Sequence, residues 1–271
     1  RQAINEALEV VNFISENPAP PDFFNTIEAL ENTGKNLNSF CAIMFSLNSA
    51  ETNKELQAAV QEISPALARF SNDITLNEKL FSRVDIVYHS GENKNLSREQ
   101  EMLLEKTYRN FVLGGASLDE EAKARFRQIS EELSVLTVKF EENILDDTNA
   151  FFLHITEFND LSGLPSNVIE MAAEEAAKRG KTGWVFTLNF PSYIPFMKYS
   201  SVRELREKMF RAYSSRAYHG DKSDNSENAL KIASLRLELA RLLGFNNYAE
   251  LTLGDRMAEN PATVSKFLEQ L

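Results

Sequence analysis

The sequence predicts a mainly α fold, a multi-helix domain with long antiparallel helices and one small β insertion. Three observations carry this expectation. Only 10 Gly and 8 Pro punctuate 271 residues, so long stretches are free of helix breakers. Apolar residues recur at helical spacing along most of the chain. At two places only, around Phe151 and around Trp184, that spacing drops to two. With 43% hydrophobic and 25% charged residues the chain is globular in composition and long enough to bury a sizeable core.

Gln2 to Glu16 places Ile4, Ala7, Leu8, Val11 and Ile14 on one helical face. Asn17-Pro18-Ala19-Pro20-Pro21 must end that helix, because consecutive prolines cannot continue it. A second helix is expected from about Asp22 into the 40s. A third should run from about Glu51 to Asp73, kinked or interrupted at Pro65, and a shorter one from Leu76 to Tyr88. His89 to Asn95 reads as a polar linker.

Ser97-Arg98-Glu99-Gln100 is a capping box, and its helix should end before Gly114-Gly115. Ser117-Leu118-Asp119-Glu120 reads as a second one, opening the most regular element of the chain. Along it Leu118, Ala122, Phe126, Ile129, Leu133, Leu136, Phe140 and Ile144 form one stripe, with Glu120, Glu131 and Glu142 opposite. The stripe is expected in the core.

The β insertion covers about 150–190. Phe151, Leu153 and Ile155 alternate with Phe152, His154 and Thr156, and Trp184, Phe186, Leu188 and Phe190 with Val185, Thr187 and Asn189. Pro165 to Arg179, ended by Gly180, is a helix between the two strands. Helices return from Val202 to Tyr218 and from about Ser226 to Leu243, the latter stopped by Gly244. Asn260-Pro261 then opens a final helix. The first helix lacks an N-cap and the last lacks a stop, and residue 1 is Arg rather than Met, so both ends read as cut.

The charge excludes whole function classes. A net charge of −11 repels phosphate backbones and anionic headgroups, which argues against nucleic acid and membrane partners. Arg203, Arg206, Arg211 and Arg216 are interleaved with acidic residues and read as a solvated helix face. No segment approaches about 18 uninterrupted apolar residues. Cys41, the single cysteine, lies in the apolar run Phe40–Phe45, where a thiol acts as a small buried hydrophobe and not as a nucleophile. A lone cysteine fits a reducing compartment. The expected location is therefore the cytoplasm, with the periplasm as the alternative because a leader could have been removed.

Metal catalysis has a thin basis. Zinc catalysis typically uses two His at i and i+4 with a Glu between them. His89, His154 and His219 are far apart, and none begins an H-E-x-x-H. His154 is expected to be a half-buried, hydrogen-bonded ring at a strand position. The pairs Glu120-Glu121, Glu131-Glu132, Glu141-Glu142 and Asp146-Asp147 are read as solvated helix surface, since helical neighbours lie about 100° apart and cannot face one cleft together. Gly114-Gly115 lacks the preceding strand and the Lys of a phosphate loop and reads as a tight helix–helix turn. No catalytic or metal residue is assigned, and no substrate-binding residue is named.

Several stretches, taken in order, resemble one family. They are Phe23-Phe24-Asn25-Thr26-Ile27-Glu28-Ala29-Leu30-Glu31, Asn77-Glu78-Lys79-Leu80-Phe81-Ser82-Arg83-Val84, Arg109-Asn110-Phe111-Val112-Leu113-Gly114-Gly115-Ala116 and Leu161-Ser162-Gly163-Leu164-Pro165. Pro191-Ser192-Tyr193-Ile194-Pro195-Phe196, Arg211-Ala212-Tyr213-Ser214-Ser215-Arg216-Ala217, Asp224-Asn225-Ser226, Leu242-Leu243-Gly244-Phe245-Asn246-Asn247-Tyr248-Ala249 and Met257-Ala258-Glu259-Asn260-Pro261 follow. Each is weak alone, but the ordered set is similar to the thimet-oligopeptidase family of zinc peptidases, which includes oligopeptidase A and the peptidyl-dipeptidases.

The resemblance runs from one end of the chain to the other. It implies that residues 1–271 are the N-terminal helical region of a larger peptidase, one wall of a channel that admits only short peptides. The family's H-E-x-x-H helix and third metal ligand belong to a later region absent here. In the whole protein a zinc-bound water would attack the peptide carbonyl. The fragment by itself is expected to bind no zinc and to be inactive, its natural partner being the missing C-terminal catalytic region. The alternative is a stand-alone helical interaction module derived from that family.

Overall fold

The computed structural model describes residues 2–91 and 95–271. Residues 92–94, inside the expected polar linker, lie outside the described residues. The fold is mainly α, with one two-stranded sheet among the described residues. The chain forms two compact units, Arg1–Val138 with Lys231–Leu271, and Lys139–Leu230.

In the first unit α1 (Gln2–Ser15) buries Ile4, Ala7, Val11 and Ile14, the face its spacing predicts. The prolines end it. Asp22 then caps a six-residue π-helical turn, Phe23–Glu28, through a reciprocal box with Asn25, and the turn runs into the short α2 (Ala29–Glu31). The helix expected from Asp22 into the 40s is therefore broken. Asn32–Gly34 separate it from α3 (Lys35–Ala50), and Gly34 takes the left-handed φ of +73° that favours glycine. α4 (Lys54–Thr75) passes through Pro65 without interruption, so of the kink or interruption expected there the interruption does not occur.

α5 (Glu78–His89) starts on an Asn77 cap, and α6 (Arg98–Leu113) on the Ser97 box read from the sequence. Gly114-Gly115 ends α6 in a Schellman turn, with Ala116 N–H donating to Phe111 O and Gly115 N–H to Val112 O. A Cβ on Gly114 would come within 2.7 Å of the Thr75 Cβ, so the turn needs glycine for closeness as well as for conformation. The unit's core is built from α1, the π turn, α5 and α6, with Phe23, Ile27, Leu80, Val84, Leu104 and Phe111 at its centre. The second part of α11 (Ser226–Leu242), α12 (Tyr248–Leu253) and α13 (Pro261–Leu268) complete the unit, and Asn260 caps α13 as expected.

α7 (Glu120–Ala150) contributes residues to both units. Its cap is Asp119, whose carboxylate accepts from Ala122 N–H at 2.8 Å, so a single cap two residues on replaces the box predicted at Ser117. Only part of the stripe reaches the core. Phe126 and Ile129 are buried, whereas Leu133, Leu136, Phe140 and Ile144 are half-buried. Glu142, expected on the solvent side, is itself buried.

In the second unit β1 (Phe152–Ile155) and β2 (Trp184–Thr187) pair antiparallel, with Phe152 opposite Thr187 and Ile155 opposite Trp184. α8 (Ser166–Lys178) lies between them in sequence and packs on β2. β2 is shorter than the expected Trp184–Phe190 run and is buried on nearly every residue rather than in alternation. Phe190 instead opens α9 (Phe190–Tyr199), a helix the two-residue period concealed. α10 (Arg203–Ser214) follows, and the core joins Ile155, Val168, Phe186, Leu188, Phe196 and Met209.

Candidate functional site

The densest polar cluster of the second unit forms where residues 215–225, between α10 and α11, meet residues 140–148 of α7. One carboxylate oxygen of Asp147 accepts from Ala217 N–H at 2.7 Å and from His219 Nε2 at 2.8 Å. Ala217 needs that anchor, because it holds a left-handed φ of +52° that an alanine rarely adopts. Arg216 donates from Nη1 to Thr148 Oγ1 at 2.9 Å and lays its guanidinium 3.7 Å from the Tyr213 ring centre. Tyr213 stacks in turn on Tyr193, 4.2 Å between centroids, and burial pushes the Tyr193 phenol up from its ordinary pKa.

Six residues after His219, Asn225 bridges the same elements. Its amide donates to Phe140 O at 2.9 Å, and its oxygen accepts from Asn143 at 2.9 Å. Asp224 accepts from Ser226 N–H and Gly220 N–H, and its pKa is held down to about 2 from an ordinary 3.8, foremost by a hydrogen bond from the Ser226 side chain and then by these two backbone bonds. The cluster thus gathers Tyr213, Arg216, Ala217, Asp224 and Asn225, all from the family-like stretches of the sequence.

A buried cation plays a similar part in the first unit. Arg83, 6% exposed, donates to Asn17 O, Ala19 O, Asn25 Oδ1 and Thr26 Oγ1. It pins the proline segment and the π turn to α5, and burial pushes its guanidinium pKa down. Lys123 is buried as well, with its ammonium between Glu78 at 2.7 Å and Glu120 at 2.9 Å, and these hydrogen bonds raise its pKa.

The sequence candidates are dispersed. His89 Nδ1 meets the Asp85 carbonyl at 3.0 Å, and His154 Nε2 the Thr182 carbonyl at 2.7 Å, so each ring donates from that nitrogen. His154 is exposed rather than half-buried, because it lies on the open face of β1. Cys41 is half-buried, since α3 turns Phe40, Ile43 and Leu47 to the surface instead of covering the run that holds it, and the burial it has raises its pKa. Among the described residues no three His, Cys, Asp or Glu side chains are placed to hold a metal ion.

Of the carboxylate pairs, Asp147 and Glu142 depart from the solvated reading, Asp147 tying a loop and Glu142 buried. Arg203 and Arg211 are exposed as expected, whereas Arg206 and Arg216 are half-buried, Arg206 bonding to Ser200 O. What the cluster can do chemically is hold a loop. Among the described residues no hydroxyl or thiol hydrogen-bonds to His219, whose Nε2 meets Asp147. The signal that sequence reading missed is polar residues, Asn143, Asp147 and Thr148, inside a helix whose period would otherwise run on.

Two family models match this sequence. "Neurolysin/Thimet oligopeptidase, N-terminal domain" matches residues 2–123, and "Peptidase family M3" matches residues 196–271. The chain belongs to peptidase family M3.

Among M3 relatives, it is 36% identical to an oligopeptidase A of Haemophilus influenzae, with all of this chain aligned against 39% of that protein. It is 34% identical to a dipeptidyl carboxypeptidase of Escherichia coli, over 95% of this chain and 38% of the relative. An organellar oligopeptidase A of Arabidopsis thaliana is 34% identical over 94% of this chain and 33% of the relative. The chain therefore spans about two fifths or less of the length of these M3 proteins. No helix among the described residues is long and apolar enough to cross a membrane.

Proposed function

We propose that this chain is the N-terminal, channel-wall part of a zinc metallopeptidase that hydrolyses short peptides, as an oligopeptidase or a peptidyl-dipeptidase. The observation that carries the reading is the end-to-end match to proteins named oligopeptidase A and dipeptidyl carboxypeptidase, of which the chain spans under half. On this reading the zinc-binding region lies in sequence beyond Leu271. His89, His154 and His219 each serve a separate local bond, so no catalytic step is routed through them. On this reading the whole protein acts on short peptides in the cytoplasm, a compartment that suits the lone thiol of these 271 residues.

The 271-residue chain alone is expected to bind no zinc stoichiometrically and to cleave no peptide. Metal analysis after dialysis and a fluorogenic-peptide assay in added zinc test this. One zinc retained per chain, or turnover abolished by a chelator, would overturn it. The gene continued past Leu271 should encode an H-E-x-x-H helix, and its longer product should be active in the same assay. A stop codon directly after Leu271 would instead favour the interaction-module reading.

A further inference from the structure

We infer that Tyr88 and Tyr108 form an oxidative cross-linking site, where a one-electron oxidant joins the two rings carbon to carbon and staples α5 to α6. The inference stands on the geometry of the first unit and does not depend on the peptidase reading.

The Tyr88 and Tyr108 rings lie 3.9 Å apart between centroids, with their planes 4° from parallel. Aromatic pairs ordinarily keep their centroids about 4.5–7 Å apart, so these two faces are in unusually full contact. Tyr88 belongs to α5 and Tyr108 to α6, and both are half-buried, so a small oxidant reaches the rings while the helices hold them together. Tyr108 also meets Phe81 at 6.1 Å, and Phe81 meets the buried Phe111 at 6.0 Å. A phenylalanine ring gives up an electron far less readily than a phenol. An oxidising equivalent that enters this ladder therefore stays on the two tyrosines.

The proton has a place to go. Burial foremost, then the charge of Asp85, raises the Tyr108 pKa, so this phenol keeps its proton at neutral pH. Loss of an electron makes that proton strongly acidic, and an acceptor close by eases its departure. Asp85 is that acceptor. Its carboxylate accepts a hydrogen bond from the Tyr108 phenol, lies 3.2 Å from His89 Nδ1, and is 44% exposed, so it can hand the proton on to water.

Each tyrosine gives one electron to the oxidant and loses its phenolic proton, Tyr108 to Asp85 and Tyr88 to water. The two radicals pair in a single bond between ring carbons ortho to the oxygens. Each of those carbons then releases its hydrogen as a proton while its phenol oxygen takes one back. Two C–H bonds are broken and one C–C bond is made. Two electrons go to the oxidant and two protons to water.

Stacking alone is not enough, as a second pair makes plain. Tyr193 and Tyr213 also stack, 4.2 Å apart and 12° from parallel. There Arg216 lies 3.7 Å over the Tyr213 ring, and a cation on that face stabilises the π electrons that oxidation must remove. Tyr193 is moreover only 8% exposed.

The test is brief irradiation of the dilute 271-residue chain with tris(bipyridyl)ruthenium(II) and persulfate, which generate a one-electron oxidant, then proteolysis and mass spectrometry of the monomer. A linked Tyr88–Tyr108 peptide pair is expected, lighter by two hydrogens and fluorescent as dityrosine, at least about tenfold more abundant than a Tyr193–Tyr213 pair. Tyr88→Phe and Tyr108→Phe, which keep the stack, should each abolish it. Asp85→Asn should slow the linking at least about fivefold, and Asp85→Glu, which keeps a carboxylate, should restore most of the rate. Absence of the Tyr88–Tyr108 link, or links spread evenly over the seven tyrosines, overturns the inference. So does a Tyr193–Tyr213 link of equal abundance, or an unchanged rate in Asp85→Asn.

Discussion

Arg83 joins three pieces of chain that share no secondary structure. Its guanidinium spends four hydrogen bonds on two carbonyls of the proline segment and on Asn25 and Thr26. Lys cannot replace it, because a single ammonium lacks the fixed fork that reaches both sides. Arg83→Ala should cost about 2–4 kcal/mol in urea unfolding, since it leaves buried acceptors without donors, and Arg83→Lys should recover little of that. Asp224 allows a second test at this scale. Its folded pKa is depressed to about 2 against an ordinary 3.8, so its contribution to stability is full above the higher value and drains away as pH falls toward the lower. The urea midpoint should fall between about pH 4 and pH 2, and Asp224→Asn should flatten that part of the profile. An unchanged slope in the variant would assign the acid sensitivity elsewhere.

Helix ends were the most legible feature at the level of elements. The Ser97 box and Asn260 cap appear where the sequence places them, and Gly115, Gly180 and Gly244 end their helices with φ between +65° and +88°. Side-chain oxygens and glycines act over a few residues, so their signals survive without knowledge of the tertiary fold. Burial along α7 did not survive in the same way, because which turns of a long helix are covered depends on partners distant in sequence. Ile129 is fully buried and Leu133 only half. Ile129→Ala should therefore cost about 2–5 kcal/mol in thermal or urea unfolding, and Leu133→Ala less than half as much. Equal losses would show that the stripe is uniformly covered after all. The candidate site was harder still. Asp147, Arg216 and Asn225 were visible only as parts of family-like stretches and helix surface, and the fold alone brings them together.

Across the whole molecule the described surface carries apolar side chains that a solvated exterior does not need. On α3 Phe40, Ile43 and Leu47 lie at spacings of three and four, each more than half exposed, and α1 adds Phe13 at 76%. The folded chain should bind a dye such as ANS without denaturant, and Phe40→Ser with Leu47→Ser should lower that signal while leaving far-UV circular dichroism unchanged. A dye signal indifferent to the double variant would place the sticky surface elsewhere. The same scale governs how the sheet comes about. A two-residue hairpin zips from its turn, but β1 and β2 are separated by residues 156–183, and α8 lies between them. Closing so long a loop costs entropy that four facing residues cannot offset alone, so the pairing waits until α8 has folded and begun to bury Val168, Ala172 and Ala176. In folding, this sheet is a late event and α8 acts as its turn. Pulse-labelled hydrogen exchange should accordingly find the α8 amides protected before that of Phe186.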